Sequence, residues 1–419
     1  MDLKNKNIIV IGLARSGLAA IKLLNDLGII VKAYDSKSKD FFEKELKNLD
    51  DKNKYYFGKF PINILDEIDL IIISPGVPTD LVFLNVAKQM GIPIWSELEF
   101  AYRFYKGKLI AITGTNGKTT TTTLVGEIMN TYYNEVFVVG NIGLPFSEIV
   151  LKTTENSVVV AEVSSFQLET INSFKPDISC ILNITPDHLN RHKTMENYIN
   201  AKKRITEFQS QTDICILNVD DINTSKLINS LITNNYKFSR IKRLDKGVYL
   251  EKNIIKFSED GRNYTICDIN ELQVLGAHNI ENIMASIAIA INMGIPLHLI
   301  KKAVTSFRGV EHRIEYVTTI NNIKFYNDSK ATNPDAAIKG IKAMVRPTVL
   351  IAGGMDKGNE FDDWFLAFDN RVTYLIVFGE TKYIIKETAS KYKFQNIIVV
   401  NDLKEAVAKS FLLANSGDC

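Results

Sequence analysis

Lys108-Leu-Ile-Ala-Ile-Thr-Gly-Thr-Asn-Gly-Lys-Thr-Thr120 is the stretch on which the reading of this chain turns. Its apolar, β-prone run at 109–112 ends in Gly114-Thr-Asn-Gly-Lys-Thr119, and a helix-compatible segment follows to about Asn130. A strand, a glycine turn and a helix start therefore come in succession. Glycines let backbone N–H groups crowd around a phosphate, and a helix N-terminus adds a favourable dipole. In such a turn Lys118 can reach β- and γ-phosphates, and the Thr119 hydroxyl can ligate Mg²⁺. The pattern departs from a full P-loop at one place, because Ile112 stands where the first glycine would fall. A nucleoside triphosphate is the expected ligand.

Outward from this turn, strand-like runs alternate with helical segments along the whole chain, the pattern of α/β folds with largely parallel sheets. At 419 residues, two or three domains are expected, since single cores stop growing beyond about 250 to 300 residues. We place them at 1–94, 95–308 and 309–419: a Rossmann-like domain, a P-loop ATPase-like central domain and a second Rossmann-like domain.

The first opens with Asn7-Ile-Ile-Val-Ile-Gly12, turns through Gly17 and continues as a helix to about Leu27. Strands over 29–34 and 69–73 lead to Asp35 and to Ser74-Pro-Gly-Val-Pro78. Asp35 stands where an acid meets a ribose in a Rossmann half. Gly12-Leu-Ala-Arg-Ser-Gly17 is not GxGxxG, since Ala14 replaces the second glycine, so NAD is poorly supported. A plain βαβ turn and a nucleotide or phosphate cradle both remain open there. In the second domain Ser96-Glu-Leu-Glu-Phe100 reads as a capped helix start, with strands over 136–140, 158–163, 178–184 and 214–219 and an amphipathic helix over 282–293. The third begins near 309–313. It carries a strand over 323–326, then Asn327-Asp-Ser-Lys-Ala-Thr-Asn-Pro334 and a helix, and strands over 348–352 and 374–378 around Gly353-Gly-Met-Asp-Lys-Gly358. Three ligand-type turns, each after a strand, predict three separate sheets.

Bulk composition excludes several classes. A net charge of +2 argues against a nucleic-acid footprint, which needs a clustered basic face. Cys180, Cys215, Cys267 and Cys419 show no CxxC spacing, so neither a disulfide scaffold nor a zinc site is indicated. Cys180 and Cys215 lie in apolar strand-like runs and read as buried thiols. No signal peptide precedes the first strand, and no apolar run approaches the roughly 18 residues of a membrane span. A cytoplasmic protein without membrane contact is expected.

Several residues outside the turn can carry chemistry. Glu162 ends the run Ser157-Val-Val-Val-Ala, and a carboxylate at the tip of a strand beside a P-loop is well placed to hold Mg²⁺. In Thr185-Pro-Asp-His-Leu-Asn-Arg-His192, Asp187 reads as a helix cap, His188 as a metal or phosphate contact, and His192 as a surface residue. By pattern alone Lys202 is a solvated charge. In the third domain Asp328, Lys330, Thr332, Asp356 and Lys357 follow strand ends, where a lysine meets an anion or a carboxylate. Arg313 can offer phosphate a bidentate fork. A structural salt bridge accounts equally for each basic residue.

Taken together, Gly12-Leu-Ala-Arg-Ser-Gly17, Ser74-Pro-Gly76, Gly114-Thr-Asn-Gly-Lys-Thr-Thr120, Gly140-Asn-Ile-Gly143, Glu162-Val-Ser-Ser-Phe-Gln-Leu-Glu169, Asn183-Ile-Thr-Pro-Asp-His-Leu189, Gly276-Ala-His-Asn279, His312-Arg313, Asn327-Asp-Ser-Lys-Ala-Thr-Asn333 and Gly353-Gly-Met-Asp-Lys-Gly358 resemble the Mur ligases. These are the ATP-dependent amino-acid ligases that build the peptide of bacterial peptidoglycan. The resemblance covers almost the whole chain and is strongest to the branch that adds D-glutamate to UDP-N-acetylmuramoyl-L-alanine.

The resemblance implies roles. The first domain holds the UDP of the substrate through Arg15, Ser16, Asp35, Ser74 and Gly76, and Asn141 contacts its muramoyl part. Gly114, Thr115, Asn116, Gly117, Lys118, Thr119 and Thr120 hold ATP, with Asn282 and Arg313, while Asp328 meets the ribose. Thr119 and Glu162 bind one Mg²⁺. Lys202, as a carbamate formed with CO₂, binds a second with His188, which would overturn the solvated-charge reading. Lys330 and Thr332 sit near the phosphate and incoming amino acid, and Lys357 holds the D-glutamate carboxylate. Lys118, His188, Lys202, Arg313 and Lys330 form the catalytic set, and a monomer is expected.

The chain stops at Asn415-Ser-Gly-Asp-Cys419, where the resemblance leads one to expect a further strand and a loop that helps hold D-glutamate. Impaired ligase activity is the corresponding expectation for this form. Two competing readings are a folylpolyglutamate synthetase, against which the UDP-type first domain argues, and a non-catalytic UDP-sugar or ATP binder.

Overall fold

The computed structural model describes residues 3–356, 358 and 360–419. The chain divides into two compact units, Met1–Cys267 with Ile283–Val304, and Asp268–Asn282 with Thr305–Cys419. No helix among the described residues is long and apolar enough to cross a membrane.

The first unit contains two sheets. Strands Ile8–Ile11 (β1), Lys32–Asp35 (β2), Lys54–Phe57 (β3), Leu70–Ile73 (β4) and Ile94–Ser96 (β5) pair in the order β3-β2-β1-β4-β5, all parallel. β1 and β4 are apolar at every position because both faces of this sheet are covered, and all their residues are buried. Chain direction across the sheet reverses between β1 and β4. That is the switch point at which ligands of open α/β sheets bind, and the 12–17 turn and the 74–78 loop leave the strands on its two sides. Ser74 fixes them together, its N–H donating to Ile11 O (2.9 Å) and its Oγ to Gly12 O (2.7 Å).

The second sheet is larger. Lys108–Thr113 (β6), Val136–Gly140 (β7), Val158–Glu162 (β8), Ile178–Ile181 (β9), Ile214–Asn218 (β10), Asn234–Ser239 (β11), Gly247–Glu251 (β12), Ile254–Glu259 (β13) and Arg262–Asp268 (β14) follow the order β14-β13-β12-β11-β10-β9-β6-β8-β7. β6 lies between β8 and β9, both parallel to it. The turn after β6, Glu162 at the tip of β8 and the segment after β9 therefore emerge at one edge. Ile8 and Val10 of the first sheet share an apolar cluster with Leu98, Phe100, Leu109 and Val159. The two sheets of this unit thus rest on a continuous core, and burying it is the main stabilising term.

The second unit holds an antiparallel hairpin, Glu315–Ile320 (β15) with Ile323–Asn327 (β16), and a parallel sheet of Thr348–Gly354 (β17), Val372–Gly379 (β18) and Ile397–Val399 (β19). Leu375 and Val377 of β18 pack with Trp364, Phe365 and Phe368 on one face, and Ile376 packs with Val400 and Ala406 on the other. Cys419 donates its N–H to Pro347 O and accepts from Val349 N, so the last residue runs beside the start of β17.

Four sheets, rather than the three expected, are present among the described residues. The strand expected at 323–326 is β16, which pairs in the hairpin instead of entering the last parallel sheet. Residues 182–184, read as strand, lie beyond β9 in a loop, and the strand expected at 29–34 begins only at Lys32. The helix expected at 282–293 is Ala277–Asn292. Strands β11 to β14 were not foreseen, although Asp260-Gly261, a strong hairpin signal, links β13 and β14. Ser96 does cap its helix, accepting from Glu99 N, and the Cys180 and Cys215 thiols are buried.

Candidate functional site

The glycine turn after β6 is held in shape from β9. Gly117 starts the helix Lys118–Asn130 with φ +86°, a left-handed conformation that glycine adopts without steric cost. Asn183 acts as a surrogate strand: its Oδ1 accepts from Asn116 N (2.9 Å) and its Nδ2 donates to Asn116 O (2.9 Å). Its own carbonyl accepts from Thr115 N, and the Thr115 hydroxyl both donates to Thr185 O and accepts from Thr185 N. Six backbone donor and acceptor groups of the loop segments 115–116 and 183–185 are thereby matched, which preorganises the turn. The motif around Asn183 does not by itself assign that residue a role. The recoverable signal is an amide side chain at the end of the strand next to a glycine turn, where backbone groups lack strand partners.

Lys118 folds back over this turn, donating from Nζ to Gly114 O (2.9 Å) and Thr115 O (2.8 Å). Lys202 approaches the same carbonyl from the other side, donating to Gly114 O at 2.7 Å, with its ammonium 4.7 Å from the centre of the Tyr198 ring. It is 1% exposed. The solvated-charge reading of Lys202 is therefore overturned, because helix Met195–Lys203 buries the face that carries Tyr198, Ala201 and Lys202. Burial, and then the nearby Lys118 charge, push its pKa well below the usual lysine range. A lysine held this way reaches the uncharged, nucleophilic amine far more readily than an exposed one.

Glu162 is buried at the tip of β8. Its Oε1 accepts from Asn141 Nδ2 (2.9 Å), whereas its Oε2 is buried without a hydrogen-bond partner. A buried carboxylate oxygen left unpaired is costly, and a hard cation would satisfy it. Oxygen donors from Glu162 and the Thr119 hydroxyl suit Mg²⁺, so these residues fit one such ion. Lys202 as an ammonium is a donor only and repels a cation; it fits a metal only after conversion to an anion. Among the described residues no group of three or more His, Cys, Asp or Glu side chains is gathered to hold a metal.

His188 is half exposed and stands at φ +54°, at the start of the turn Leu189–His192. Its ring lies 4.9 Å from Phe166, and its Nε2 is 3.6 Å from Asp187 Oδ2. Asp187 does not cap that turn; its Oδ1 accepts from the N–H of the adjacent His188. His192 is not a surface residue. It is buried against Phe166 and Tyr198, and its Nε2 lies 3.0 Å from Ser165 Oγ. Burial pulls its pKa down.

The first sheet offers a different environment. Asp35 Oδ2 accepts from Leu13 N (2.8 Å) and Oδ1 from Lys37 N (2.9 Å), so the acid braces the glycine turn itself. Arg15 is exposed and Ser16 partly so on the first turn of helix Arg15–Asp26, while Ser74 is buried and Gly76 exposed. Asn141 is exposed after β7.

In the second unit Asp328 Oδ1 accepts from Ile314 N (3.0 Å), and Arg313 stands next to that N–H in sequence. Burial raises the Asp328 pKa to about 6, against the lowering effects of the Ile314 N–H and the Arg313 charge. Asn282 is buried at the end of a short run with Asn279, to whose Oδ1 it donates (3.2 Å). Lys330 and Thr332 are exposed; the Lys330 N–H donates to His312 O and the Thr332 N–H to Lys330 O. Lys357 lies outside the described residues.

Comparison with known proteins adds the following. Three family models match in succession: "Mur ligase MurD-like, N-terminal domain" over residues 6–96, "Mur ligase middle domain" over 112–290 and "Mur ligase, glutamate ligase domain" over 312–419. The chain is 50% identical to the UDP-N-acetylmuramoylalanine–D-glutamate ligase of Lachnoclostridium phytofermentans over 97% of its own length and 90% of that protein. It is 46% identical to the protein of that name from Lachnospira eligens, over 100% of this chain and 93% of that one. Among solved structures, it matches the UDP-N-acetylmuramate-alanine ligase of Thermotoga maritima with a TM-score of 0.62 and 21% identity, covering 99% of this chain and 94% of that one. A pseudomurein peptide ligase from Methanothermus fervidus matches with a TM-score of 0.60 and 19% identity over 99% and 96% of the two chains. These two likenesses concern the fold.

Proposed function

This chain belongs to the Mur ligase family, and on that premise we propose that it is the ATP-dependent ligase adding D-glutamate to UDP-N-acetylmuramoyl-L-alanine in peptidoglycan precursor synthesis. The observation carrying this reading is the identity of 50% along 97% of the chain to a relative named for that reaction. The division of labour follows the domains expected at 1–94, 95–308 and 309–419, for the UDP-substrate, ATP and D-glutamate respectively.

A carboxylate and an amine do not condense unaided in water. The L-alanyl carboxylate oxygen attacks the γ-phosphorus of ATP, the bond to the β-γ bridging oxygen breaks, and ADP leaves. The D-glutamate amine then attacks the acyl-phosphate carbonyl, loses its proton, and expels inorganic phosphate as the amide forms. Lys118, already folded over the turn, and Arg313 neutralise charge on the transferring phosphoryl group. Thr119 and Glu162 would hold Mg²⁺, which when bound supplies charge neutralisation at the phosphate oxygens. Lys202 becomes a carbamate by attack of its neutral amine on CO₂, the new N–C bond forming as one C=O π bond opens and the nitrogen releases a proton to solvent. Its burial beside the Lys118 charge, which depresses its pKa, supports this assignment, and His188 completes that side. Arg15, Ser16, Asp35, Ser74, Gly76 and Asn141 take the UDP-substrate. Asn282 and Asp328 serve ATP, and Lys330, Thr332 and Lys357 the incoming amino acid.

The test is phosphate release measured with UDP-N-acetylmuramoyl-L-alanine, ATP and a panel of D- and L-amino acids. Release that requires both the UDP-substrate and D-glutamate is the expected result. Equal release with L-glutamate, or none with any amino acid, refutes the assignment.

A further inference from the structure

The loop after β4, Ser74-Pro-Gly-Val-Pro78, has proline at 75 and at 78, so two of its residues bring no N–H to close it internally. One bond within it, Val77 N to Ser74 O (3.0 Å), is formed. The carbonyls of Pro75 and Val77 are taken up instead by one guanidinium from beyond β9: Arg191 Nη1 donates to Pro75 O (2.9 Å) and Nη2 to Val77 O (3.2 Å). The same guanidinium holds Glu169, from Nη2 to Oε2 (2.7 Å) and from Nε to Oε1 (3.2 Å), and its face lies 4.1 Å over the Phe166 ring. Glu169 also accepts from Thr79 Oγ1 (3.1 Å) and faces His192 Nδ1 at 3.7 Å. The ion pair is only 17% and 16% exposed at its two side chains. Arg191 stands in the turn that His188 begins, its N–H donating to His188 O (3.0 Å).

Two loops from different sheets thus meet on one side chain. We infer that Arg191 is a positioning residue: it sets the 74–78 loop against the His188 turn, so that a substrate seated at the first sheet presents its carboxylate to the phosphate edge of the second. This rests on the reading that the 74–78 loop holds the UDP-substrate. Lysine cannot replace it, because a point charge on a flexible stem cannot serve two carbonyls and a bidentate carboxylate at fixed angles. Misplacement of a bound carboxylate by about 1 Å can cost on the order of a hundredfold in rate, so the effect belongs to the UDP-substrate and not to ATP.

The experiment compares wild type with Arg191→Ala, Arg191→Lys, Glu169→Gln and Thr79→Val. It measures KM for UDP-N-acetylmuramoyl-L-alanine, KM for ATP and kcat, together with the calorimetric Kd of the UDP-substrate in the absence of ATP and Mg²⁺. Arg191→Ala is expected to lower kcat on the order of a hundredfold, raise the UDP-substrate Kd and KM at least tenfold and leave the ATP KM within about twofold. Arg191→Lys should resemble it, and Thr79→Val should fall between it and wild type. Added methylguanidinium should restore part of the lost kcat/KM of Arg191→Ala. Should Arg191→Ala not fold, the near-isosteric Glu169→Gln decides, with a rise of at least threefold expected. UDP-substrate and ATP constants that move together, or do not move, overturn the inference while wild-type ligation stands. A wild type that neither binds nor consumes the UDP-substrate removes the functional reading and the inference with it.

Discussion

Two turns in the first unit share one backbone device, and only one of them is surrounded by reactive side chains. Both Gly12-Leu-Ala-Arg-Ser-Gly17 and Gly114-Thr-Asn-Gly-Lys-Thr119 join an interior strand, flanked on both sides by parallel strands, to a helix start. Around the first, an acid braces the turn, with Asp35 accepting from Leu13 N, and the arginine on the helix is exposed. Around the second, two lysine ammoniums converge on Gly114 O, and a buried carboxylate keeps one oxygen unpaired. A glycine turn can bind phosphate by its N–H groups alone. Cleaving a phosphoanhydride needs the charged groups, and those come from neighbouring strands rather than from the motif. The first turn is therefore suited to hold a nucleotide that does not react, and the second to hold one that does.

The largest break between the turns is expected on removal of their cations. Lys118→Ala should lower kcat by about a thousandfold or more, roughly 4 kcal/mol of transition-state stabilisation. Arg15→Ala should leave kcat within about threefold and raise KM for the UDP-substrate. Steady-state kinetics on both variants decides, and equal losses in kcat would abolish the distinction. Next comes the glycine requirement, which has a different physical origin in each turn. A Cβ on Gly17 would lie 1.8 Å from Gly12 O and 2.8 Å from Ser74 Oγ, so space is the constraint. Gly17→Ala should destabilise the first unit by about 3 kcal/mol through forced backbone movement. At Gly117 the constraint is φ +86°, and Gly117→Asn should cost about 1 kcal/mol, because asparagine tolerates the left-handed region. Urea unfolding of the two variants checks the ordering.

What was legible in the chain follows the same division. The strand-turn-helix at 108–130 and the Ser96 cap could be read because each is a local pattern, set by a few consecutive residues. The environment of Lys202 could not be read that way. Its helix is nine residues long and polar residues separate most of its apolar ones; only the spacing of Tyr198, Ala201 and Lys202, which share a face, hints at burial. His192 sits in a four-residue turn too short to carry a period, so its burial against Phe166 and Tyr198 is purely tertiary. Glu162 and Asn183 meet the turn because β8 and β9 flank β6, and strand order is a long-range property. The Arg191 cluster is invisible in the sequence for the same reason: its partners lie 22 and more than 100 positions away.

Glu162 sharpens the comparison at an intermediate level. Glu162→Gln keeps the shape and the Asn141 contact within reach but removes the charge at the unpaired oxygen. A drop of about a hundredfold in kcat is expected, with the thermal midpoint unchanged or slightly raised, since an unpaired buried charge no longer has to be accommodated. A comparable fall in UDP-substrate affinity measured without ATP would mean that Glu162 serves the first turn as much as the second.

The smallest effect separates the two nucleotides by pH, through Asp328 in the second unit. Its pKa of about 6 lies well above the ordinary aspartate value, chiefly through burial. A carboxylate accepts ribose hydroxyls more strongly than a carboxylic acid, so ATP affinity should fall severalfold as pH drops from 7.5 to 5. Asp328→Asn should lack the part of that decline not shared with free ATP titration, and UDP-substrate affinity should be the same in Asp328→Asn and wild type throughout. Stability runs in the opposite sense. Because the folded pKa is raised, the favourable proton-bound contribution is complete below the unfolded value near 4 and is lost as pH rises through about 6. Asp328→Asn should therefore melt above wild type at pH 7.5, and the gap should close by pH 4. A gap that widens toward acid would show that the carboxylate is stabilised in its charged form, and the ribose assignment would lose its physical basis.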